Sequence, residues 1–314
     1  MHLRSVEIFC EVVHQRSFSK AAEALGVSQS SASQAVQTLE ERLSAQLIDR
    51  SKRPLELTPA GEVYFAGCRE LLDSFHAIED RVHRLQDKVV GPVRLAAIYS
   101  VGLLQMDWYV RQFEQLYPET DLRVAFGHPD EIYEAVLHDE ADLGLVSFPR
   151  TTGALASIPW QEQDLVLVTP PDHPLAARET VAVEELEGEA FIAFTSDLMI
   201  RKAIDRWLKE RKIAVNIVHA FDNMENIKRD IEIGTGVSIL PDPAVRREVE
   251  IGSLAAIPLS DVNWTRPLGI VHKRHKVFSN AVTKFIELLH EDPESTGDGT
   301  AADPPAAEKV GLAP

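Results

Sequence analysis

Short uncharged hydrogen-bonding side chains cluster on one face of a predicted helix near the N-terminus. These residues are Gln29, Ser30, Ser33, Gln34 and Gln37, and Ser28 is the predicted N-cap. The opposite face carries a predicted buried stripe at helical spacing, formed by Ala32, Val36, Leu39 and Leu43. Glutamine can pair with N6 and N7 of adenine in the major groove, and serine tolerates several bases. Since a solvated face usually carries Glu, Lys and Arg, this pattern favours a helix that reads bases.

A short basic segment follows this helix. Arg50, Lys52 and Arg53 place three positive charges within four positions. The flanking segments 47–48 and 55–57 predict a small hairpin with these charges at its tip, where they would contact phosphates without reading sequence. The predicted DNA-binding residues are therefore Ser28, Gln29, Ser30, Ser33, Gln34, Gln37, Arg50, Lys52 and Arg53.

Two shorter helices are predicted to position the polar face. Apolar residues at helical spacing predict a first helix that ends near Gln15, and these are Leu3, Val6, Phe9, Cys10 and Val13. Ser19 is the predicted N-cap of a short second helix, and Gly26 stands where a left-handed residue ends it. A tight turn then leads into the polar helix.

A long linker helix is predicted next, because Thr58 and Pro59 supply an N-cap and a first helical residue, and no proline recurs until Pro92. Apolar residues follow the 4,3 spacing of a coiled coil, namely Tyr64, Cys68, Leu71, Phe75, Ile78, Val82 and Leu85. Packing against its own domain is the alternative. A helix between two domains has little core to pack on, so the pattern favours self-association.

Residues 1–67 resemble the winged helix-turn-helix of the LysR-type transcriptional regulators. The matching stretches are FCEVVHQRSFSKAAEALGVSQSSASQAVQTLEERL, LIDR and LTPAGE, in the order and spacing of that family. Ser30, Gln34, Ser44 and Ile48 depart from the residues usual in the family, which affects the expected operator preference. The resemblance implies double-stranded DNA as a partner, paired linker helices in a homodimer, a homotetramer formed from dimers, and contact with RNA polymerase.

Beyond Pro92, short β-branched runs alternate with helical patterns, which predicts an α/β domain of parallel units. This part is similar to the family's effector-binding region, a pair of periplasmic-binding-protein-like subdomains with crossover strands near 165–172 and 262–272. The expected fold class is thus an N-terminal winged helix-turn-helix, a linker helix and a two-subdomain α/β domain. The expected boundaries are 1–58, 59–90 and 91–290, with subdomain I at about 91–166 and 268–290, subdomain II at about 167–267, and a disordered acidic tail at 291–314.

An effector site is predicted where strands end and helices begin, because free N–H groups meet there. The candidates are Ser100, Val101, Gly102, Gly127, His128, Ser147, Thr195 and Ser196. By position they match the inducer pocket of the family, although each Ser or Thr can equally be a helix cap. His128 is the one nearby candidate that acquires charge easily near neutral pH, which gives an anionic effector little support.

Charge and composition narrow the function classes. The chain carries 32 Lys plus Arg against 49 Asp plus Glu, a net charge of −17, but residues 1–90 hold 11 basic and 13 acidic residues, a net of only −2. The acidity argues against nonspecific nucleic-acid coating, whereas the nearly neutral N-terminal part fits local DNA contact. Two cysteines and a start without an apolar signal segment predict a cytoplasmic protein, and no apolar run is long enough to predict membrane insertion.

Catalytic and cofactor motifs are missing from the sequence. No phosphate-binding loop, HExxH zinc motif or GxSxG elbow occurs, and Gly234-Thr235-Gly236 precedes a predicted strand instead of following one. We therefore expect a LysR-type transcriptional regulator controlled by a small-molecule effector, with no catalysis, cofactor or metal. The alternative is a small-molecule binding protein or enzyme whose N-terminal segment is an interaction module that does not bind DNA.

Overall fold

The computed structural model describes residues 3–84 and 88–291. They divide into two compact units, one of residues up to Val90 with Val277–Asn280, the other of Gly91–Lys276 with the residues from Ala281 on. The predicted seam residue Leu85 and almost all of the predicted tail lie outside the described residues.

The first unit is mainly helical. Its elements are α1 (Leu3–Gln15), α2 (Phe18–Ala24), α3 (Gln29–Leu43), β1 (Ile48–Asp49), β2 (Glu56–Leu57) and α4 (Pro59–Arg84). The first helix ends at Gln15, as predicted. The predicted cap of α2 was wrong, because Ser17 and not Ser19 adopts the extended cap conformation and accepts a hydrogen bond from the backbone N–H of Lys20.

The core of the first unit joins α1, α2 and α3. The residues that pack there include Val6, Phe9, Val12, Ala21, Ala32, Val36 and Leu39. The ring centroid of Phe9 on α1 lies 5.5 Å from that of Tyr64 on α4. The predicted buried stripe of α3 ends one residue early, because Leu43 is 40% exposed at the C-terminal end of the helix. Three of the four stripe residues thus fix which face of α3 points to solvent.

The second unit is α/β. Its elements are β3 (Gly91–Ile98), α5 (Tyr99–Leu116), β4 (Thr120–Gly127), α6 (Pro129–Leu137), β5 (Leu143–Ser147), β6 (Leu155–Thr169), β7 (Ala190–Phe194), α7 (Met199–Arg211), β8 (Asn216–Phe221), α8 (Met224–Glu232), β9 (Ser238–Pro241), α9 (Arg246–Glu250), β10 (Ala255–Pro258), β11 (Thr265–Lys273) and most of α10 (Asn280–Leu289). Short 3-10 helices occupy Val183–Leu186 and Asp242–Ala244.

One long strand, β6, runs through both parts of this unit. The sheet order is β10-β6-β11-β5-β3-β4, with β9 also paired to β6, while β7 and β8 form a separate parallel pair. Strand β3 is parallel to β4 and β5, as predicted, whereas β6 and β11 are antiparallel to their neighbours. The first part of β6 pairs with β11 and its last residues pair with β9 and β10. Strand β6 is therefore the crossover, and it begins ten residues before the predicted position.

Separate apolar clusters stabilise the two ends of this domain. In subdomain I, Leu95, Phe113, Leu143 and Phe285 are fully or almost fully buried, and the rings of Phe113 and Phe285 meet edge to face at 5.0 Å. In subdomain II, the core includes Leu167, Val181, Ile192, Ile227 and Ile239. Burial of this kind contributes about 1.5–3 kcal/mol per large aliphatic side chain. The two clusters hold the strand ends and helix starts that line a cavity between the subdomains.

Candidate functional site

The exposed face of α3 carries the predicted base-reading residues. Ser28 is the N-cap, and its Oγ accepts a hydrogen bond from the backbone N–H of Ser31 at 3.1 Å. Four of the predicted side chains are exposed and Ser33 is half-buried, the exposed four being Gln29, Ser30, Gln34 and Gln37. Because the opposite face is fixed in the core, these side chains are presented outward on a rigid helix.

Internal hydrogen bonds engage only part of this face. The Oγ atoms of Ser28 and Ser30 lie 2.9 Å apart, and Gln37 Nε2 donates to Glu41 Oε1 at 2.9 Å. Such exposed contacts exchange readily with other partners, since their net contribution to stability is small. The face can therefore offer both donors and acceptors to a docked molecule.

The predicted wing forms as an antiparallel pair of short strands. Ile48 pairs with Leu57 and Asp49 with Glu56, which leaves the basic residues in the connecting turn. The three cations are exposed but differ in their partners. Arg50 binds Glu40 at 2.9 Å and Lys52 binds Glu56 at 3.2 Å, whereas the hydrogen bonds of Arg53 go to backbone carbonyls.

Arg53 thus brings a positive charge whose contacts in the described residues are all neutral. The exposed ion pair of Lys52 is worth about 0–1 kcal/mol, so Lys52 exchanges it easily for phosphate, whereas Arg50 binds a Glu40 side chain that is only 13% exposed. The turn can contact a nucleic-acid backbone with all three charges, and Arg53 needs no exchange of ion partners.

The seam predicted along α4 divides into two parts. Tyr64 and Cys68 pack against the core of the first unit, with Cys68 only 5% exposed. The four residues beyond them are exposed, namely Leu71, Phe75, Ile78 and Val82. Ile78 and Val82 expose 59% and 52% of their surface. A row of large exposed apolar residues on one helix usually marks a surface that binds a partner, because such a row is seldom left in contact with water.

A cavity of about 290 Å³ lies between the two subdomains of the α/β domain. It is lined by four of the predicted effector residues, Ser100, Gly127, His128 and Ser147. The other four, Val101, Gly102, Thr195 and Ser196, are not part of its lining, although each adjoins a lining residue or lies within a few positions of one. Val101 and Gly102 are buried in the start of α5.

The cavity also contains residues that the sequence did not single out. Arg266 on β11 lies opposite Gln163 on β6, and its Nε donates to Gln163 Oε1 at 3.0 Å. Its Nη1 donates to Ser100 Oγ at 3.1 Å. Burial lowers the pKa of the Arg266 guanidinium to about 9, which leaves it charged at neutral pH. The available signal was an arginine within the expected crossover segment 262–272.

Side chains from the two subdomains meet across the cavity mouth. His128 Nε2 lies 3.2 Å from Asp197 Oδ2. Arg150 Nη2 donates to Asp130 at 3.0 Å, and its guanidinium stacks 4.6 Å from the ring centroid of Tyr133. Polar groups thus frame the entrance while apolar side chains form much of the wall.

Across residues 3–84 and 88–291, no group of three or more His, Cys, Asp and Glu side chains could hold a metal ion. The helices within these residues are each too short or too polar to span a lipid bilayer.

A winged helix-turn-helix joined to a two-subdomain α/β domain with a central cavity defines the class of ligand-responsive DNA-binding regulators. The model for the bacterial regulatory helix-turn-helix proteins of the LysR family matches residues 3–62, and the model for the LysR substrate binding domain matches residues 86–294. The chain belongs to the LysR family of transcriptional regulators.

Individual proteins are similar to this chain over nearly their whole length. CysL of Bacillus subtilis is 24% identical over 297 residues, which cover 94% of this chain and 99% of CysL. A probable RuBisCO transcriptional regulator of Cyanidioschyzon merolae is 29% identical and covers 91% and 97% of the two chains. A full-length OxyR variant from Pseudomonas aeruginosa shares the fold with a TM-score of 0.72 at 22% identity, covering 92% of this chain and 93% of that one.

Proposed function

We propose that the chain reads operator DNA with the exposed face of α3 and grips the DNA backbone with the turn between β1 and β2. The main support is the division of α3 into two faces. Its buried face contains Ala32, Val36 and Leu39. Its exposed face contains Gln29, Ser30, Gln34 and Gln37. Uncharged amide and hydroxyl groups on a rigid helix suit base edges in the major groove. Ser28 would contribute beside the helix start, and Ser33 at the margin of the face.

The basic turn complements this face. Arg50, Lys52 and Arg53 are exposed on a turn that follows α3 directly in the chain. Phosphate contacts from such residues orient the helix but discriminate little between sequences. Base reading and backbone binding would thus be divided between neighbouring segments of the first unit.

The exposed apolar residues of α4 support a homodimer. LysR-family regulators form oligomers, and Leu71, Phe75, Ile78 and Val82 give this helix an apolar row at coiled-coil spacing. A symmetric pair would present two copies of α3 to a dyad-related operator. Pairing of such dimers would give a tetramer, and RNA polymerase would be a further protein partner at the promoter.

The cavity between the subdomains is the proposed effector site. It is enclosed by strand ends and helix starts of both subdomains, so a bound molecule would change the free energy of one subdomain arrangement relative to another. This mode of action requires no catalysis, and we propose regulation by binding alone, in the cytoplasm where the DNA partner is found. The alternative is an enzyme whose first unit does not bind DNA. Such an enzyme would also have the cavity, but the uncharged polar face of α3 would have no function in it.

The test is fluorescence anisotropy of the full chain with the intergenic DNA upstream of its own gene, at several salt concentrations and with random DNA as competitor. We expect selective binding of the upstream fragment, with an affinity that falls as salt rises. Genomic fragments selected on the immobilised protein extend the test to operators elsewhere. Equal affinity for selected and random DNA at every salt concentration would contradict the proposal.

A further inference from the structure

The cavity floor contains a buried positive charge without an acidic partner. Arg266 is 2% exposed, and its two hydrogen bonds go to the neutral side chains of Gln163 and Ser100. No carboxylate of residues 3–84 and 88–291 forms an ion pair with this guanidinium. A buried cation with only neutral partners is unfavourable unless an opposite charge is supplied. The guanidinium N–H groups that remain beside these two hydrogen bonds therefore suit an anion that enters the cavity.

The acidic side chains of the cavity wall do not fill this role. All four are exposed and have partners of their own. The pairs are Asp130 with Arg150, Asp197 with His128, Glu225 with Lys228 and Asp222 with Asn223, at 3.0, 3.2, 2.7 and 2.8 Å. Lys202 adds another positive charge at the exposed edge of the cavity. Solvent screens these exposed groups, whereas the charge of Arg266 is screened little.

The start of α5 supplies further donors beside Arg266. Ser100 lies in the first turn of this helix, and its N-cap residue Ile98 makes no side-chain capping hydrogen bond. N–H groups in a first turn have no intrahelical acceptor, and the helix dipole makes this end partially positive. An anion next to Ser100 would thus interact with a guanidinium, a hydroxyl group and a helix terminus.

The remaining wall limits the rest of the ligand. Large apolar side chains from both subdomains line the cavity, including Tyr99, Tyr133, Phe148, Phe194, Met199 and Ile200. A volume of about 290 Å³ is at the small end of ligand sites. An inorganic oxyanion would satisfy Arg266 but would leave these apolar surfaces uncovered. A carboxylate matches the planar guanidinium fork and can carry an apolar body.

We propose that the effector of this chain is a small organic carboxylate, held by Arg266 and Ser100 and packed against the apolar cavity wall. This inference rests on the proposed effector site and adds the chemical class of the ligand. Arg266 and Gln163 then form the specificity-determining pair, because Gln163 fixes the orientation of the guanidinium from the neighbouring strand.

The experiment is isothermal titration of the full chain with acetate, butyrate, succinate and benzoate, each compared with its own amide, and with sulfate, all at constant ionic strength. For the carboxylate that binds most tightly, we expect at least tenfold tighter binding than for its amide. The same ratio should fall to about one in Arg266→Gln and persist in Arg206→Gln, an exposed arginine on α7. Wild-type protein without a carboxylate preference, or with sulfate binding more tightly than every carboxylate, would overturn the inference.

Thermal unfolding separates ligand binding from a structural role. Because Arg266→Gln removes an unneutralised buried charge, we expect its Tm without ligand to equal or exceed that of the wild type, while the rise in Tm caused by the carboxylate is lost. Arg266→Lys should recover part of that rise, since it restores the charge without the planar fork. A lower Tm in Arg266→Gln with an unchanged rise on carboxylate addition would instead assign Arg266 to the fold alone.

Selective DNA binding, measured on the same preparations, distinguishes the two proposals. If selective DNA binding is present and the carboxylate preference is absent, only the ligand class is wrong. If DNA selectivity is absent, the regulatory function itself is wrong, whatever the cavity binds.

Discussion

The exposed face of α3 and the floor of the cavity use polar groups in opposite ways. On α3 the candidate residues are uncharged, exposed and lightly hydrogen-bonded, as Gln34 illustrates. On the cavity floor, Arg266 is charged, buried and held by two neighbours on different elements. The first arrangement suits a partner that brings many donors and acceptors of its own. The second suits one small partner with a single opposite charge.

This difference has an energetic basis. An exposed amide loses little when it is unpaired, because water replaces the partner. A buried guanidinium cannot rely on water, so its environment must be built around it. The α/β domain should therefore depend on the placement of charges in its interior, whereas the first unit should depend on helix packing and caps.

The two units should differ most in the free energy of unfolding that depends on a buried charge. The largest change should come from a substitution of Asp142, a buried carboxylate on the N-terminal side of β5. Its Oδ1 lies 2.8 Å from Arg94 Nη2 and 3.0 Å from Lys276 Nζ. Burial raises the pKa of this carboxyl, but the cations of Arg94 and Lys276 outweigh burial and lower the pKa from 3.8 to about 2. The corresponding stabilisation is about 2 kcal/mol above pH 4 and is lost as the pH falls through 2.

Asp142→Asn should therefore lower the free energy of unfolding at pH 7 by about 2 kcal/mol, and the difference from wild type should shrink as the pH falls from 4 to 2. All four tryptophans lie in the α/β domain, so urea unfolding followed by tryptophan fluorescence reports on that unit. Asp107→Asn, which removes an exposed ion pair with Arg111, is the matched control and should change little. An Asp142→Asn curve that overlays the wild type at pH 7 would refute the role of this carboxylate.

A smaller effect should arise at the N-cap of α3. Ser28→Ala removes the hydrogen bond to the backbone N–H of Ser31, which should cost about 1 kcal/mol. We expect a lower urea midpoint by far-ultraviolet circular dichroism and an unchanged midpoint by tryptophan fluorescence, because the tryptophans all belong to the other unit. Ser33→Ala, on the face proposed to read bases, should alter stability by less than about 0.5 kcal/mol. Equal losses in both variants would mean that the polar face is part of the fold.

The same contrast explains how much the sequence revealed. The face of α3 could be predicted because all its residues belong to one helix, where a period of 3.6 separates the two faces. The cavity joins segments from Ile98 to Arg266, and no local period relates Gln163 to Arg266 across the strands β6 and β11. Four of the eight predicted effector residues line it because strand ends are recognisable, but the buried arginine depends on tertiary pairing.

Local errors have similar causes. Ser17 and Ser19 have equal capping chemistry, and packing of Phe18 at the start of α2 decides between them. The early start of β6 was missed because its first ten residues mix polar side chains with Pro159. Their strand conformation follows from pairing with β11, a contact between residues about a hundred positions apart.

The central claim is that α3 reads bases while the wing holds phosphates, and one measurement tests both parts. Anisotropy titrations would compare a selected operator with a base-substituted copy, over a range of salt concentrations, for wild type, Gln34→Ala and Arg53→Ala. We expect Gln34→Ala to reduce the preference between the two duplexes by about 1–3 kcal/mol. Arg53→Ala should weaken both duplexes alike and lower the salt slope by about one. The account would be contradicted if Gln34→Ala and Arg53→Ala both kept the wild-type preference between the two duplexes and the wild-type salt slope.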